Sequence, residues 1–207
     1  MLRRIPKQER SRERIDEILK VSMELIGSKG IDAVTMKEIA ALSGGPIASV
    51  YQYFPNKSAI VATLYERYSE EVKVFVEMCS SGIETADDAF AAVNRLIGIY
   101  YQNVKERPAI LDLLNATLAD KSLALLDLGA SRVHSKIFAD ATIRFVASDQ
   151  AEAFRRKVFL MFHLAAAAVR LSLLVDDDEA EDIMADFTSA SMTQMRYFID
   201  SSENVNA

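Results

Sequence analysis

Hydrophobic positions recur at intervals of three and four along almost the whole chain, and no stretch alternates convincingly enough for a strand. Ile15, Ile18, Leu19, Ser22, Leu25 and Ile26 form a first helical stripe, and Gly30 is placed just past its end. Thr35-Met-Lys-Glu38 reads as a capping box, with Val34 and Ile39 as its hydrophobic staple, and it opens the short helix "MKEIAALS". Gly44-Gly45 ends that helix, because glycine accepts positive φ where a chain turns sharply. Pro46 sits where a first helical residue would, its φ already set. "IASVYQY" follows as a second short helix, closed by Phe54-Pro55. A longer helix begins near Asn56 and runs to about Cys79, carrying Ile60, Leu64, Tyr68, Val72, Phe75 and Val76 on one stripe.

Past Met78, "CSSGIETAD" reads as a hinge, and five further helices are expected. They run from about Ala86 to Arg107, Pro108 to Leu118, Leu123 to Val146, a capping Asp149-x-x-Glu152 to Val175, and Glu179 to Asp200. The pattern predicts an all-α chain of about nine helices without internal repeats. The apolar segment "VFLMFHLAAAAVRLSLLV", Val158 to Val175, has the minimum length for a membrane span but contains His163 and Arg170. Centring an arginine in a bilayer costs about 2.5 kcal/mol or more, so a helix buried all round is expected and no membrane partner.

Charge changes this picture. The net charge of −6 over 207 residues is unevenly spread. Residues 1–60 carry ten Lys/Arg against seven Asp/Glu, net +3, and the remainder carries fourteen against twenty-three, net −9. A polyanion is therefore attracted to the N-terminal part and repelled by the rest. Cys79 is alone, which excludes an internal disulfide or a cysteine-based metal site and fits a reducing cytoplasm. The N-terminus "MLRRIPKQERSRER" has no apolar stretch and is not read as a secretory signal.

Two short helices joined by a tight glycine-containing turn, the second with small or polar residues outward, describe a helix-turn-helix. The segment "TMKEIAALSGGPIASVYQYFPNKSAI" resembles the DNA-binding signature of the TetR family of transcriptional regulators. Thr35, Glu38-Ile39-Ala40, Gly44, Tyr51, Tyr53-Phe54 and Lys57 carry the resemblance, which is specific over about Ile15 to Leu64 and architectural beyond. It implies an N-terminal arm and helix-turn-helix domain over residues 1–56 and a helical effector-binding and dimerisation domain over 57–207.

In this frame Thr35 and Lys57 lie at helix starts suited to phosphate, and Lys37 adds positive charge. Tyr51 and Tyr53 can donate phenolic hydroxyls to phosphates, while Phe54 reads as core. Base readout falls to the front of the second short helix at Ile47, Ala48, Ser49 and Gln52, with Pro46 also counted among the DNA-binding residues: glutamine can pair with adenine, and Ile or Ala can touch a thymine methyl. This helix carries no Lys or Arg, so cations must come from Lys57, Lys37 and the arm of Arg3, Arg4, Lys7, Arg10, Arg12 and Arg14. The chain departs from the family pattern at three places. Gly45 stands where an apolar residue commonly packs, Pro46 where Ser or Thr is frequent, and Ile47-Ala48 where a basic residue and glycine are frequent.

Ala165 to Ala168, with Ala185, Ser189 and Ala190, remove side-chain bulk and suggest a two-fold interface of four helices. The interface is assigned to Ala165, Ala166, Val169, Ala185, Ser189 and Met192, and would set two recognition helices roughly 34–36 Å apart on a near-palindrome. The resemblance also implies a small-molecule effector. Tyr100, Tyr101, Asn115, His134, Phe138, Phe162 and His163 combine apolar bulk with a polar tip or share a face with such a group, and favour an uncharged apolar or aromatic ligand.

Enzyme chemistry finds no footing. Neither histidine has a glutamate three residues earlier, and no nucleophile elbow or phosphate-binding glycine loop occurs. The acidic run Asp176 to Asp182 lacks the alternating ligands and central glycine of a calcium loop, and reads instead as favouring a helix N-terminus. No catalytic residue, metal or cofactor is expected. Repression is the family default. The alternative is a helical protein-interaction module whose helix-turn-helix no longer binds DNA.

Overall fold

The structure is a computed structural model that describes residues 9–203, with side chains described as far as Ile199. Among the described residues the chain forms nine α-helices and two short 3-10 turns. The helices are α1 (Glu9–Ala33), α2 (Met36–Leu42), α3 (Ile47–Tyr53), α4 (Lys57–Ser80), α5 (Ala86–Lys105), α6 (Pro108–Ala119), α7 (Lys121–Thr142), α8 (Ala151–Ser172) and α9 (Asp177–Glu203). Two compact units result. One gathers the chain up to Ser69 with residues 107–126, and the other gathers residues 70–106 with those from Asp127 onward. Residue 56 therefore does not separate them: α4 contributes to the first unit as far as Ser69, and α6 belongs with it.

In the first unit, α1 breaks at Gly30, whose φ of 77° closes its main part as expected. Gly27 lies against α6: a Cβ there would stand 3.3 Å from that of Ala109, so only glycine permits this approach without displacement. Asn56 accepts a hydrogen bond from the Ala59 N–H at 2.9 Å and caps α4. Ile18, Leu19, Ile39, Val50, Phe54, Ile60, Ile110 and Leu113 are fully buried and bind these helices into one core.

In the second unit, Phe90, Phe138, Phe154, Val158, Met195 and Phe198 build the core, with Phe154 and Phe198 meeting edge to face at 5.5 Å. Thr85 and Asp88 form a capping box at the head of α5, which the sequence reading did not identify. Asp149 is corrected: Ser148–Gln150 form a 3-10 turn, and Gln150 is the N-cap of α8 without a side-chain bond. The acidic run does favour a helix start. Asp176 accepts the Glu179 N–H at 3.0 Å, and Asp177, Asp178 and Glu179 fill the first turn of α9. None of the described helices is long and apolar enough to cross a membrane.

Candidate DNA-binding face and effector groove

The reciprocal capping box predicted at Thr35 is present. The Glu38 N–H donates to the Thr35 hydroxyl at 3.2 Å, and the Thr35 N–H donates to the Glu38 carboxylate at 3.0 Å. Lys29 reaches the same carboxylate at 2.6 Å, and the Thr35 hydroxyl donates to it at 2.7 Å. These bonds, that to Lys29 foremost, lower the Glu38 pKa from 4.5 to about 2. A depressed carboxylate stabilises the fold above its unfolded pKa, and the contribution fades as pH falls from about 4.5 towards 2. Glu38→Gln should therefore flatten the acid limb of the stability–pH curve over that window, as read by urea midpoints.

Beyond this cap, Gly44 takes a φ of 73° and turns the chain. Pro46 then precedes α3 with a φ of −66° and offers no side-chain cap. Because α3 is a single short amphipathic helix, its register decides what faces outward. Val50, Tyr53 and Phe54 point into the core, while Pro46, Ile47, Ala48, Tyr51 and Gln52 are exposed. Ile47 and Tyr51 each expose 42 % of their surface, a large apolar and aromatic area for so short a helix. Tyr53 is a correction. It is only 8 % exposed, because a residue two past Tyr51 falls on the opposite side of the helix.

The cations are distributed differently from the sequence reading. Lys37 on α2 is exposed, as are Arg10 and Arg12 on α1. Lys57 donates to the Ile31 carbonyl at 2.6 Å and the Asp32 carbonyl at 3.2 Å, holding the carbonyl end of α1. One of its three N–H groups remains for a phosphate. Arg14 turns onto the α2–α3 connection and bonds both Ser43 and Ser49. Arg3, Arg4 and Lys7 lie outside the described residues. Thr35 is exposed, but its hydroxyl is held in the capping box.

The ligand candidates separate. Tyr101 lines an open groove of about 480 Å³ between α5 and α9, with Asn94, Ile97, Gly98, Met184, Ala185, Thr188, Ser189 and Met192. No Lys, Arg, Asp or Glu lines it. Tyr100 is half-buried, whereas Phe138 is core, 5.9 Å from the half-buried Phe162 ring. Asn115 is exposed and belongs to the first unit, so it does not join the others. His134 is buried. His163 stacks on Phe159 at 6.3 Å, and its Nδ1 faces the Ser131 hydroxyl at 3.1 Å and the Asp127 carboxylate at 3.6 Å. Both partners use the same ring nitrogen, so this trio cannot relay a proton from serine through histidine to aspartate.

The interface candidates also divide. Ala166 and Val169 are 8 % and 0 % exposed within the single chain, a correction to their assignment to a partner. Ala165 is half-buried, and Ala185, Ser189 and Met192 lie along the groove. The outward face of α8 instead carries Leu160, Leu164, Ala167 and Leu171, the leucines 43 %, 40 % and 51 % exposed, and Tyr197 on α9 is 62 % exposed. The spacing i, i+4, i+7, i+11 was visible in the sequence, but an all-apolar segment hides which stripe is turned outward.

Residues 18–64 match the family described as bacterial regulatory proteins, tetR family, and residues 87–195 match the one described as tetracyclin repressor-like, C-terminal domain. Solved structures share the fold. A TetR-family transcriptional regulator from Pectobacterium atrosepticum has a TM-score of 0.67 at 13% identity, covering 94% of this chain and 98% of its own. One from Streptomyces coelicolor has 0.67 at 20%, covering 93% and 86%. A complex of SmeT with triclosan has 0.64 at 15%, covering 90% and 92%. No curated protein matches. With both its helix-turn-helix and its C-terminal half matched, the chain belongs to the TetR family and is a DNA-binding transcriptional regulator, not an enzyme.

Proposed function

We propose that the protein is a repressor that binds a near-palindromic operator as a homodimer and is released by a small uncharged effector. The observation that carries this reading is the shared outward face of Ile47, Ala48, Tyr51 and Gln52 on α3. It offers an amide for adenine, apolar groups for thymine methyls and a phenol for phosphate. Exposed leucines along α8 support a two-fold pairing, since a continuous apolar stripe on a helix calls for a partner. The chargeless α5–α9 groove, with Tyr101, Thr188 and Ser189 as its hydroxyl groups, supports an uncharged apolar or aromatic effector. The binding of triclosan by SmeT, on the same fold, is in keeping with that class.

Effector binding shifts the operator-competent population only by the difference in its affinity for the two states. α4, which runs from the first unit into the second, is the element that would carry the change. This reading places the protein in the cytoplasm with the chromosome.

The test is a gel shift and footprint on DNA upstream of neighbouring genes. Tyr51→Ala and Gln52→Ala should each weaken binding about tenfold while leaving the fold intact, because both side chains are exposed. Uncharged aromatic compounds should release the complex, and Tyr101→Ala should blunt that release. A second reading, a protein-interaction module with a silent helix-turn-helix, is favoured by the lack of Lys and Arg on α3. Wild-type protein that binds no DNA at low salt would select it.

A further inference from the structure

Two adjacent glycines interrupt the helix-turn-helix, and they do different work. Gly44 supplies the positive φ. Gly45 has an ordinary φ, and its lack of a side chain serves a neighbour: a Cβ there would lie 2.7 Å from Nη2 of Arg14 and 3.2 Å from its Cζ. The space is taken by a guanidinium that clamps the turn. Nη1–H donates to the Ser43 carbonyl, Nη2–H to the Ser43 hydroxyl at 3.2 Å, and Nε–H to the Ser49 hydroxyl at 3.1 Å. Ser43 is itself buried, and its hydroxyl donates to the Ala40 carbonyl at 3.5 Å. One rigid fork thus ties the end of α2 to the third residue of α3.

The fork has a consequence for Ser49. A serine hydroxyl ordinarily reads as donor or acceptor, which makes it an undiscriminating contact. Here Nε–H of Arg14 occupies one of the two lone pairs of the Ser49 oxygen, and among the described residues its O–H meets no acceptor, which leaves one donor and a single remaining lone pair. Ser49 is half-buried beside the exposed Ala48 and Gln52, on the helix that carries the outward face. We propose that Arg14 is a positioning residue for operator selectivity: by filling one lone pair it biases Ser49 towards donating its O–H, so each half-site favours a base presenting an acceptor in the major groove, such as a purine N7, guanine O6 or thymine O4. Gly45 is the space this arginine requires, where an apolar side chain would close the turn without it. The proposal rests on the DNA-binding reading above.

The test is selection from a library of randomised duplexes by the full-length protein, with thermal midpoints recorded for every variant. Wild type should enrich two half-sites. Ser49→Ala and Arg14→Met should relax the preference at the same base pair of each half-site by about three- to tenfold, leaving the other positions unchanged. Gly45→Ala, which displaces the guanidinium, should reproduce that relaxation. Arg14→Lys should not restore it, because an ammonium cannot span three acceptors in one plane. The double variant of Ser49→Ala with Arg14→Met should be no more relaxed than either alone. A folded Ser49→Ala variant that enriches the wild-type motif would overturn the proposal whatever becomes of the arginine variants. An equal loss of affinity for all sequences in Arg14→Met would overturn it too, marking a phosphate contact. If wild type enriches no motif, the DNA-binding reading falls and this inference with it.

Discussion

Phe54→Ala should destabilise the first unit by about 3–5 kcal/mol, the usual range for emptying a filled aromatic site in a core. Phe54 is 0 % exposed, and its backbone N–H closes α3 on the Val50 carbonyl at 2.9 Å. Its ring therefore anchors the last turn of the helix whose other side is exposed. Domain stabilities are about 5–15 kcal/mol, so this truncation removes a large share and should pull the urea midpoint down sharply. Tyr51→Ala, three residues earlier and 42 % exposed, should leave that midpoint nearly unchanged. The two variants separate folding from function within one short helix and its C-cap. An unchanged midpoint in Phe54→Ala would mean that α3 is not held by this core.

If the proposed homodimer pairs through α8, Leu164→Glu should convert it to monomer. Leu164 lies at the middle of the apolar stripe formed with Leu160, Ala167 and Leu171 on α8. In a two-fold interface the substitution buries two carboxylates, and each unpaired buried ion costs several kcal/mol. Dimer dissociation constants should rise at least ~100-fold, read by sedimentation velocity across a concentration series. Operator affinity should fall with it, because linked half-site contacts become separate events. Leu164 is 40 % exposed within the single chain, so helicity and thermal midpoint at low concentration should change little. A control such as Ser122→Glu, exposed at the start of α7, should leave the dimer intact. A Leu164→Glu protein that remains dimeric would move the interface to another face.

Much of this architecture was legible because it is local. Thr35 and Glu38, three residues apart, form a capping box from their own backbone geometry. Gly30 and Gly44 were identified as helix ends, and their φ values are 77° and 73°. Pro108 starts α6 as a proline at a first helical position should. The face of α3 followed from the same logic, with Tyr53 the exception: a motif borrowed from a resemblance assigned it to DNA, while helical register turns it inward.

What stayed hidden depends on residues far apart in the chain. Arg14 meets Ser49 across 35 residues, and Lys57 meets Ile31 across 26, so two cations expected at phosphate also brace the fold. Tyr101 shares its groove with Met184 and Met192, residues assigned elsewhere or passed over in the sequence. The small residues that assign Ala166 and Val169 to an interface do not say which helix approaches them, because Val158 to Val175 is apolar almost all round, His163 and Arg170 apart. In such a segment periodicity carries no phase, and only packing decides which stripe is covered.

By itself, then, the amino-acid order determined the helices, the ends that carry a capping box, glycine or proline, and the turn glycine, since each depends on backbone preferences within a few residues. Tertiary structure alone decided which cations are engaged, which leucines stand exposed and which hydroxyls line the groove. Those outcomes depend on which surfaces meet, and burial is a property of the pair rather than of either residue.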